Sequence, residues 1–316
     1  MRRNLIVHQH FERNRYGRDW VCGDLHGHWN LLMAILGEKD IDLETDRLFL
    51  LGDLIDRGPQ SADILNWALQ TDNVFSVMGN HELNALQFHT RHPQSGAPLR
   101  AHSPKNLRQH GSFLAEFPPG ARHTADALDW MLTLPLFAEF DGMRAVHASW
   151  DDRHIDSIRA VRPDGTLDEA ALLAAATPGT SLQEAVEVTA KGPEHALPQG
   201  CGFHDKDGAW RTRARIAWWA TDAASWRQVT ASVPDPGQLP DTAPPAQVLT
   251  MRYPQDAPPV FFGHYWLTGE RPVLQAHNAV CLDYSAGREG PLVSYSAPAG
   301  TTRLDPGHLA VHWPDV

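Results

Sequence analysis

The chain has 316 residues, of which 42% are hydrophobic and 21% charged, as is typical of a globular protein with a sizeable core. No run approaches the ~20 apolar residues that span a bilayer, and Met1–His8 lacks the apolar stretch of a signal peptide. We therefore expect a cytoplasmic protein without a membrane partner. The formal net charge of −11 argues against a nucleic-acid partner, because such a chain repels a polyanion.

The first 150 residues alternate between short apolar runs and helical patterns. Strands are predicted at Asp19–Gly23, Arg47–Leu51, Val74–Met78 and Arg144–His147. Helices are predicted at His28–Leu36, Gln60–Leu69, a stretch starting near Glu82, and Thr124–Leu134. Strands that alternate with helices predict an α/β layered core.

The composition changes between about Asp151 and Ala257, where alanine, proline and polar residues dominate. Within this stretch, Val233–Ala246 carries five prolines and a glycine and is predicted to be an irregular loop. Strand-like runs then return at Pro259–Phe262, Ala279–Asp283 and Leu292–Ser296. The pattern predicts a single domain over residues 1–316, with an insertion at about 151–257.

The three cysteines, Cys22, Cys201 and Cys281, lie far apart and form no CxxC pair. An odd and sparse set argues against a disulfide framework and against a thiolate zinc site. Cys22 and Cys281 lie in apolar runs, which favours buried thiols.

Polar residues follow several of the apolar strands at their C-terminal ends. The segments are Val21–Gly27, Leu50–Gly58, Val77–Glu82 and Ala145–Ala148. A similar segment occurs at Phe261–His264. Ligands of open α/β sheets gather outside the carboxyl ends of strands, so these segments can converge on one site. Asp53 follows Asp24 by 29 residues and Asn80 follows Asp53 by 27, and each interval fits one strand–helix unit.

Carboxylate, imidazole and amide oxygen together suit divalent ions such as manganese, iron or zinc. Asp53 is central among the segments and is the natural bridge between two ions, which could hold a hydroxide and clamp a phosphoryl group. Singly, each residue has a structural alternative: Asp24 or Asp56 could cap a turn, Asn80 could occupy a left-handed turn, and His147 could be a hydrogen-bonded core histidine. The joint order and spacing favour a metal site.

The segments GDLHG, GDLIDRG and GNHE, followed by VHA and GHYW, resemble the calcineurin-type metallophosphoesterase superfamily. Within it they resemble the phosphoprotein phosphatases, including small bacterial members. The resemblance covers roughly residues 17–150 and 258–296 and is loose or absent across the insertion. It implies an α/β fold, a calcineurin-like β-sandwich flanked by helices, with a dinuclear metal site at the C-terminal ends of strands.

The resemblance also implies roles for individual residues. Two divalent ions, with manganese ahead of iron or zinc, would be held by Asp24, His26, Asp53, Asn80, His147 and His264. His81 would protonate the leaving-group oxygen and would be oriented by Asp56, while Arg57 and Asn80 would contact phosphate oxygens. A further phosphate-binding arginine is expected within Trp210–Arg215, where Arg211 and Arg215 lie one helical turn apart.

Three functions remain open on the sequence. The first is hydrolysis of phosphate monoesters, either in a phosphoserine or phosphothreonine protein or in a small phosphorylated substrate. The second is symmetrical hydrolysis of diadenosine tetraphosphate, as in bacterial enzymes that share these motifs. The third, a catalytically silent binding protein, is disfavoured because every ligand and His81 are present. A metal-dependent nuclease is disfavoured by the net charge.

Overall fold

The computed structural model describes residues 10–206 and 208–313, so Met1–His8, where no signal peptide was expected, lies outside the described residues. The strands are β1 His10–Phe11, β2 Asp19–Cys22, β3 Arg47–Leu50, β4 Val74–Ser76, β5 Phe137–Phe140, β6 Met143–Val146, β7 Glu194–Ala196, β8 Phe203–His204, β9 Trp210–Arg211, β10 Arg213–Ile216, β11 Thr230–Ala231, β12 Val260–Phe262, β13 Ala279–Cys281, β14 Leu292–Ala297 and β15 Leu309–His312. The helices are α1 Trp29–Glu38, α2 Ser61–Gln70, α3 Asn80–His89, α4 Pro104–Gln109, α5 Gly111–Glu116, α6 Arg122–Met131, α7 Asp152–Val161, α8 Glu169–Ala175, α9 Ser181–Lys191, α10 Trp226–Val229 and α11 Ala246–Leu249.

Two five-stranded sheets form the centre of the molecule. Their strand orders are β15-β14-β2-β3-β4 and β1-β5-β6-β12-β13. Strands β2, β3 and β4 are parallel, as are β6, β12 and β13. Because parallel strands end at the same edge of a sheet, the loops after them are brought together.

The central strands of these sheets, such as β2, β12 and β13, are buried on both faces. In β2, Val21 belongs to a cluster shared with Phe140 and Phe261 of the other sheet, whereas Trp20 and Cys22 belong to the cluster that contains the helices. Both faces are therefore apolar, which explains why these strands read as continuous hydrophobic runs. The two sheets pack against each other and helices cover their outer faces, so the expected α/β sandwich is confirmed.

The predicted elements are present with bounds that differ by at most three residues. All seven predicted strands occur, and the helix expected near Glu82 begins at Asn80. The sequence analysis did not identify the short strands β1, β5 and β15, nor α4 and α5. These elements have only two to six residues each, so periodicity carries little signal for them, although β5 and β6 form a hairpin around Asp141 and Gly142.

The segment predicted as an insertion is not uniform. It begins with α7, α8 and α9, whose buried residues Ile155, Leu172 and Val186 pack into the main core cluster. It continues with the small sheet β11-β10-β7 over a separate apolar cluster. The irregular loop predicted at Val233–Ala246 is confirmed, apart from a 3-10 turn at Pro236–Gln238 and the start of α11. The division into core and insertion stays a prediction.

Capping residues mark three further helices that were not predicted from the sequence, α7, α8 and α9. Asp151 and Asp168 accept the N–H groups of Arg153 and Ala171 at the starts of α7 and α8. Thr180 caps α9 in the same way, and Gly192 ends that helix at φ 79°. Such N-cap and C-terminal glycine signals are visible in a sequence and could have located these helices.

The cysteines form no disulfide within the described residues. Cys22 in β2 and Cys281 in β13 are fully buried, as expected, and Cys201 is partly exposed. Across residues 10–206 and 208–313, no helix has the length and apolar character that crossing a bilayer requires.

Candidate active site

Loops after five strands bring the predicted metal ligands to one place. Asp24 and His26 follow β2, Asp53 follows β3, Asn80 opens α3 after β4, His147 follows β6, and His264 follows β12. Apart from Asn80, these side chains are almost fully buried. The site therefore lies where the carboxyl ends of strands from both sheets meet.

Asp53 lies at the centre of this arrangement. Its Oδ2 is 3.6 Å from His26 Nε2, and its Oδ1 is 3.4 Å from His147 Nε2. His147 Nε2 is also 3.2 Å from Asn80 Oδ1. Two groups of potential ligand atoms result, His26–Asp53–His81 and Asp53–His147–His264, each with its atoms within 4.8 Å of one another. Because Asp53 belongs to both groups, it is placed to bridge two ions.

The ring nitrogens of the buried histidines fit a cation. His26 Nδ1 donates to the Ile55 carbonyl and His147 Nδ1 donates to the Leu51 carbonyl, so in the neutral rings each Nε2 carries a lone pair. His26 Nε2 and both ring nitrogens of His264 have no hydrogen-bond partner among the described residues. Burial lowers the pKa of His26 to about 3 and that of His264 well below its usual value. Neutral buried imidazoles with unused lone pairs are suitable metal ligands.

Asp24 occupies a different position from the other ligand candidates. It is buried, and its carboxylate accepts the backbone N–H of His264 at 3.2 Å. It belongs to neither of the two groups above. Burial, then the charges of Asp283 and Asp53, raise the pKa of Asp24 well above its usual value. Three carboxyl groups crowded in this way repel one another, and a divalent cation would relieve that repulsion.

Asp53 itself ionises readily despite its burial. Burial alone would raise its pKa, but the facing imidazoles of His147, His81 and His26 outweigh that effect and hold the pKa at about 2. A carboxylate that stays ionised in a buried position is suited to bind cations.

His81 and Asp56 form the pair expected of an acid and its orienting carboxylate. His81 Nδ1 donates to Asp56 Oδ2 at 2.6 Å, and its Nε2 lies 3.9 Å from Asp53 Oδ2. Burial would lower the pKa of His81, but Asp53 and Asp56 raise it overall above the usual histidine value. The ring therefore retains a proton that it can transfer.

A second histidine, which the sequence analysis did not assign, contacts the same carboxylate. His110 Nδ1 donates to Asp56 Oδ1 at 3.0 Å, so Asp56 is held between two imidazoles. Burial would raise the pKa of Asp56, but the hydrogen bonds from His110 and His81 lower it to about 2. His110 lies in a polar stretch between short helices, and no local pattern distinguishes it.

Two further buried carboxylates fix the loops, and sequence analysis gave neither a role. Glu82 accepts the N–H groups of Asp53, Leu54 and Gly79, each at 2.9 Å, and so connects the loop after β3 to the start of α3. Asp283 accepts the N–H of Trp266 at 2.6 Å. Glu82 was visible within the GNHE segment, but its partners 28 and 29 residues away were not.

The site loops concentrate backbone strain. Among the described residues, eleven non-glycine residues have positive φ, and six of them belong to this site: His26, Asp53, Asp56, Arg57, His264 and Trp266. Side chains disfavour this left-handed region, so strain is accepted here to aim the ligands. The loops also pack closely, because a Cβ on Gly263 would lie 2.0 Å from Asp24 Oδ1.

A large cavity opens over these residues. It has a volume of about 1220 Å³, and a neighbouring cavity of about 1010 Å³ shares part of its lining. Its basic lining residues are Arg57, Arg100, Lys105, Lys206, Arg211, Arg213, Arg215 and Arg288. The protein as a whole is acidic, so this cavity gathers positive charge where an anionic substrate would bind.

The two candidate arginines of Trp210–Arg215 do not share a helical face. Arg211 lies in β9 and Arg215 in β10, so the expectation of helical spacing was wrong. Arg211 Nε donates to Asp205 at 2.7 Å. Arg215 lies beside His264, and after burial its charge is the largest influence that lowers the pKa of that histidine. Arg215 is therefore better placed than Arg211 to contact a phosphate.

The aromatic residues of the insertion serve mainly as core. Trp218, Trp219 and Trp226 are buried, whereas Trp210 is 54% exposed and lines the cavity. In the GHYW segment, Tyr265 packs internally and accepts a hydrogen bond from Trp218, while Trp266 forms part of the cavity wall.

Solved structures support the fold alone. A cold-active protein-tyrosine phosphatase of a psychrophilic Shewanella superposes with a TM-score of 0.52 at 15% identity, covering 96% of this chain and 84% of that one.

Two curated relatives share partial sequence similarity. The symmetrical bis(5'-nucleosyl)-tetraphosphatase of Hamiltonella defensa is 32% identical over 142 residues, or 43% of this chain and 46% of that protein. The serine/threonine-protein phosphatase 1 of Salmonella typhimurium is 41% identical over 86 residues, or 27% and 39%. The chain thus spans less than half the length of each.

A family model described as calcineurin-like phosphoesterase matches residues 18–184, which is more than half of the chain. That range includes the loops with Asp24, His26, Asp53, Asn80 and His147. The chain belongs to the calcineurin-like phosphoesterase family and is a phosphoesterase enzyme.

Proposed function

We propose that this phosphoesterase cleaves dinucleoside tetraphosphates symmetrically, into two nucleoside diphosphates. The observation that carries the proposal is that cations line the cavity on both sides of the metal-binding candidates. Arg57 and Arg288 lie near Trp266 on the His26 side, and Arg215 lies beside His264. The scissile bond of a dinucleoside tetraphosphate has a further phosphate on either side, so positive charge on both sides fits it.

The similarity to proteins named symmetrical bis(5'-nucleosyl)-tetraphosphatase supports this substrate class. This similarity favours hydrolysis of dinucleoside tetraphosphates over hydrolysis of phosphate monoesters, the first function predicted from the sequence. A dinucleoside tetraphosphate also uses the whole cavity, whereas a small monoester would occupy only the part nearest the ligands.

We assign the binding of two divalent ions to Asp24, His26, Asp53, Asn80, His147 and His264, with manganese ahead of iron or zinc. The unpartnered nitrogens of His26 and His264 and the crowded carboxylates support the assignment. Imidazole with carboxylate and amide oxygens suits these three ions and is less suited to soft ions that prefer thiolates. Divalent ions at this site supply Lewis-acid charge to the phosphoryl oxygens and lower the pKa of water.

His81 is assigned to proton transfer, although its Nε2 is close enough to Asp53 and His26 to join a metal group. Asp56 fixes its Nδ1–H, and the raised pKa keeps the ring protonated. A protonated imidazole has no lone pair for a metal ion but can donate a proton to a leaving oxygen. The position of His81 on the cavity wall supports that role.

Arg57 and Arg215 are proposed to bind oxygens of the reacting phosphate, together with the amide of Asn80. All three line the cavity. A guanidinium offers paired donors that match two phosphate oxygens, so each arginine can orient the group as well as neutralise it. We assign no phosphate contact to Arg211, because Asp205 already accepts from it.

The test is a substrate panel with manganese-loaded enzyme: diadenosine tetraphosphate, a phosphothreonine peptide and p-nitrophenyl phosphate. We expect ADP as the nucleotide product from diadenosine tetraphosphate, with kcat/KM at least about tenfold above that for p-nitrophenyl phosphate, a difference of about 1.4 kcal/mol. The EDTA-treated enzyme is the control. Products of AMP and ATP, or no turnover of the dinucleotide, would contradict the proposal.

The second candidate is a protein phosphatase. The similarity to a serine/threonine-protein phosphatase favours it, as does a cavity open enough to admit a peptide. Faster turnover of the phosphothreonine peptide than of the dinucleotide would select this function.

A further inference from the structure

Three cations surround one tryptophan on the cavity wall. The guanidinium carbons of Arg57 and Arg288 lie 4.0 and 4.9 Å from the centre of the Trp266 ring, and Lys206 Nζ lies 4.6 Å from it. We call these four residues the Trp266 collar. The Trp266 ring lies 5.5 Å from that of His26, so the collar adjoins the metal-binding candidates.

The arginines of the collar lack acidic partners. Among the residues that the structure describes, no carboxylate forms an ion pair with Arg57 or Arg288, whereas Arg211 in the same cavity has Asp205. Like charges held close together repel one another. Burial and the neighbouring Arg288 lower the pKa of Arg57, and the charges of Asp53, Asp283 and Asp56 offset this lowering only in part. An anion bound between these side chains would remove the repulsion.

The collar is held in place by its backbone. Trp266 has a positive φ of 54°, and its N–H donates to Asp283, which also accepts the N–H of Ser285 at 2.9 Å. Ser285 Oγ donates in turn to the Leu267 carbonyl at 3.0 Å. These bonds join the Trp266 loop to the turn that carries Arg288.

The turn also packs directly on the site. A Cβ on Gly287 would lie 2.6 Å from the ring of His26 and 2.8 Å from Arg57 Cδ. The backbone before Arg288 therefore rests against both residues. The cations are positioned before any substrate arrives, and such preorganisation reduces the entropic cost of binding.

The position of His81, the proposed acid, indicates which part of the substrate lies near the collar. His81 must face the leaving oxygen, and its ring lies 4.8 Å from that of His26, which also contacts Trp266. The charge of Arg57 acts on the pKa of His81, and His81 lines the same cavity as Arg57, Trp266 and Arg288. A leaving group protonated by His81 would therefore lie next to the collar. In the proposed hydrolysis, water oxygen bonds to phosphorus and loses a proton to solvent, the P–O bond to the leaving group breaks, and protonated His81 donates its proton to the leaving oxygen.

We infer that Arg288 and Lys206 of the Trp266 collar bind the phosphate adjacent to the scissile one, on the leaving group, while Arg57 stays on the reacting phosphate. This inference deepens the proposed function and rests on it: Arg288 and Lys206 would set the preference for phosphoanhydrides over simple monoesters. A monoester with an alcohol leaving group has no second phosphate to offer, so it gains nothing from the collar.

The direct test measures nucleotide binding by calorimetry with manganese-loaded protein. ADP carries the additional phosphate and AMP does not. We expect the wild-type protein to bind ADP at least about tenfold more tightly than AMP, as for one charge-assisted phosphate contact. Arg288→Gln should make the affinities for ADP and AMP nearly equal, and Lys206→Gln should reduce the preference for ADP by a smaller factor.

Arg122→Gln is the matched control, because that arginine is 95% exposed on α6 and lines neither cavity. Arg288→Lys should restore part of the ADP preference, since it returns the charge. Equal affinities for ADP and AMP in the wild-type protein, or an unchanged preference in Arg288→Gln, would overturn the inference.

Turnover separates this inference from the proposed function. Arg288→Gln should lower kcat/KM for diadenosine tetraphosphate about tenfold more than it lowers kcat/KM for p-nitrophenyl phosphate. A parallel fall for both substrates would refute the collar's specific role. A wild-type enzyme that prefers ADP over AMP but cannot cleave the dinucleotide would refute the proposed function and leave the collar standing.

Discussion

The loops of the candidate site and the segment from Gly192 to Ala257 are held in place by different forces. The site loops depend on buried polar groups, since Glu82, Asp56 and Asp283 each accept two or more hydrogen bonds. Trp218, Trp219 and Tyr253 join the segment to the main core, and the rest packs largely on a small apolar cluster. The cluster is Leu197, Phe203, Ala214, Ile216, Trp226, Val229, Leu239 and Val248. Substitutions should therefore affect mainly activity among the polar groups of the site loops and mainly stability within the small apolar cluster.

Asp53→Asn tests most directly whether a substitution in the site loops affects mainly activity. We expect activity to fall by about 10⁴-fold, in the range for losing an ionised carboxylate from a catalytic unit. The melting temperature of metal-free protein should fall only modestly: the lowered pKa of Asp53 means that its charge stabilises the folded chain, but asparagine still accepts the hydrogen bond from the His81 N–H. The exposed Asp126→Asn is the control. Turnover at the wild-type rate would refute the bridging assignment.

Trp226→Ala tests whether a substitution in the small apolar cluster affects mainly stability. Trp226 is 2% exposed in the small cluster, and its truncation should cost about 3–5 kcal/mol of unfolding free energy. Urea unfolding checks the value, and Trp226→Phe should lose less because most of the ring volume remains. A loss below about 1 kcal/mol would show that the cluster does not stabilise the segment.

Removing the metal ions tests how much cations at the site loops contribute to the stability of the protein. Ions that bind only the folded chain add about 2.7 kcal/mol when present at a hundred times their Kd. We therefore expect EDTA to lower the melting temperature by several degrees and manganese to restore it. A melting temperature unmoved by exhaustive chelation would count against a dinuclear site.

His110→Phe tests whether the polar contacts of the site loops act on activity. The variant keeps the stacking of this ring on Phe113 but loses the hydrogen bond to Asp56. We expect kcat to fall about 10- to 100-fold with little change in stability, as for loss of a group that orients an active residue. His102→Phe is the matched control, because His102 stacks on Phe88 without touching Asp56. Equal rates in both variants would contradict the prediction.

The smallest effect is expected at the start of α7, outside both regions. Burial opposes ionisation of Asp151, but hydrogen bonds from His154 and Arg153 hold its pKa well below the usual value. A lowered folded-state pKa stabilises the protein above the unfolded pKa of about 4, and this stabilisation is lost as the pH falls below it.

The variant Asp151→Asn keeps a good N-cap and removes the charge. It should therefore be less stable than wild type by about 1 kcal/mol at pH 7. The difference should shrink as the pH falls from about 4 toward 2. Unfolding free energies measured across this range check the sign, and a constant difference would contradict it.

The contrast between the two regions also explains what the sequence could reveal. The site loops follow buried strands, so an apolar run that ends in Asp, His or Asn marked them locally. Arg211 and Arg215 were misjudged because helical spacing was assumed where the backbone forms two strands. The role of His110 could not be predicted, since its partner Asp56 lies 54 residues away and only tertiary packing joins them.

The two fully buried cysteines allow the local opening of each sheet to be measured separately. Cys22 belongs to the β14–β2–β3 sheet and Cys281 to the β6–β12–β13 sheet, and burial raises the pKa of both thiols. Neither can react with an alkylating reagent until its own strand opens, whereas the partly exposed Cys201 serves as an internal reference for reactivity. Labelling rates followed by mass spectrometry would thus report the local opening free energy of each layer in the folded enzyme.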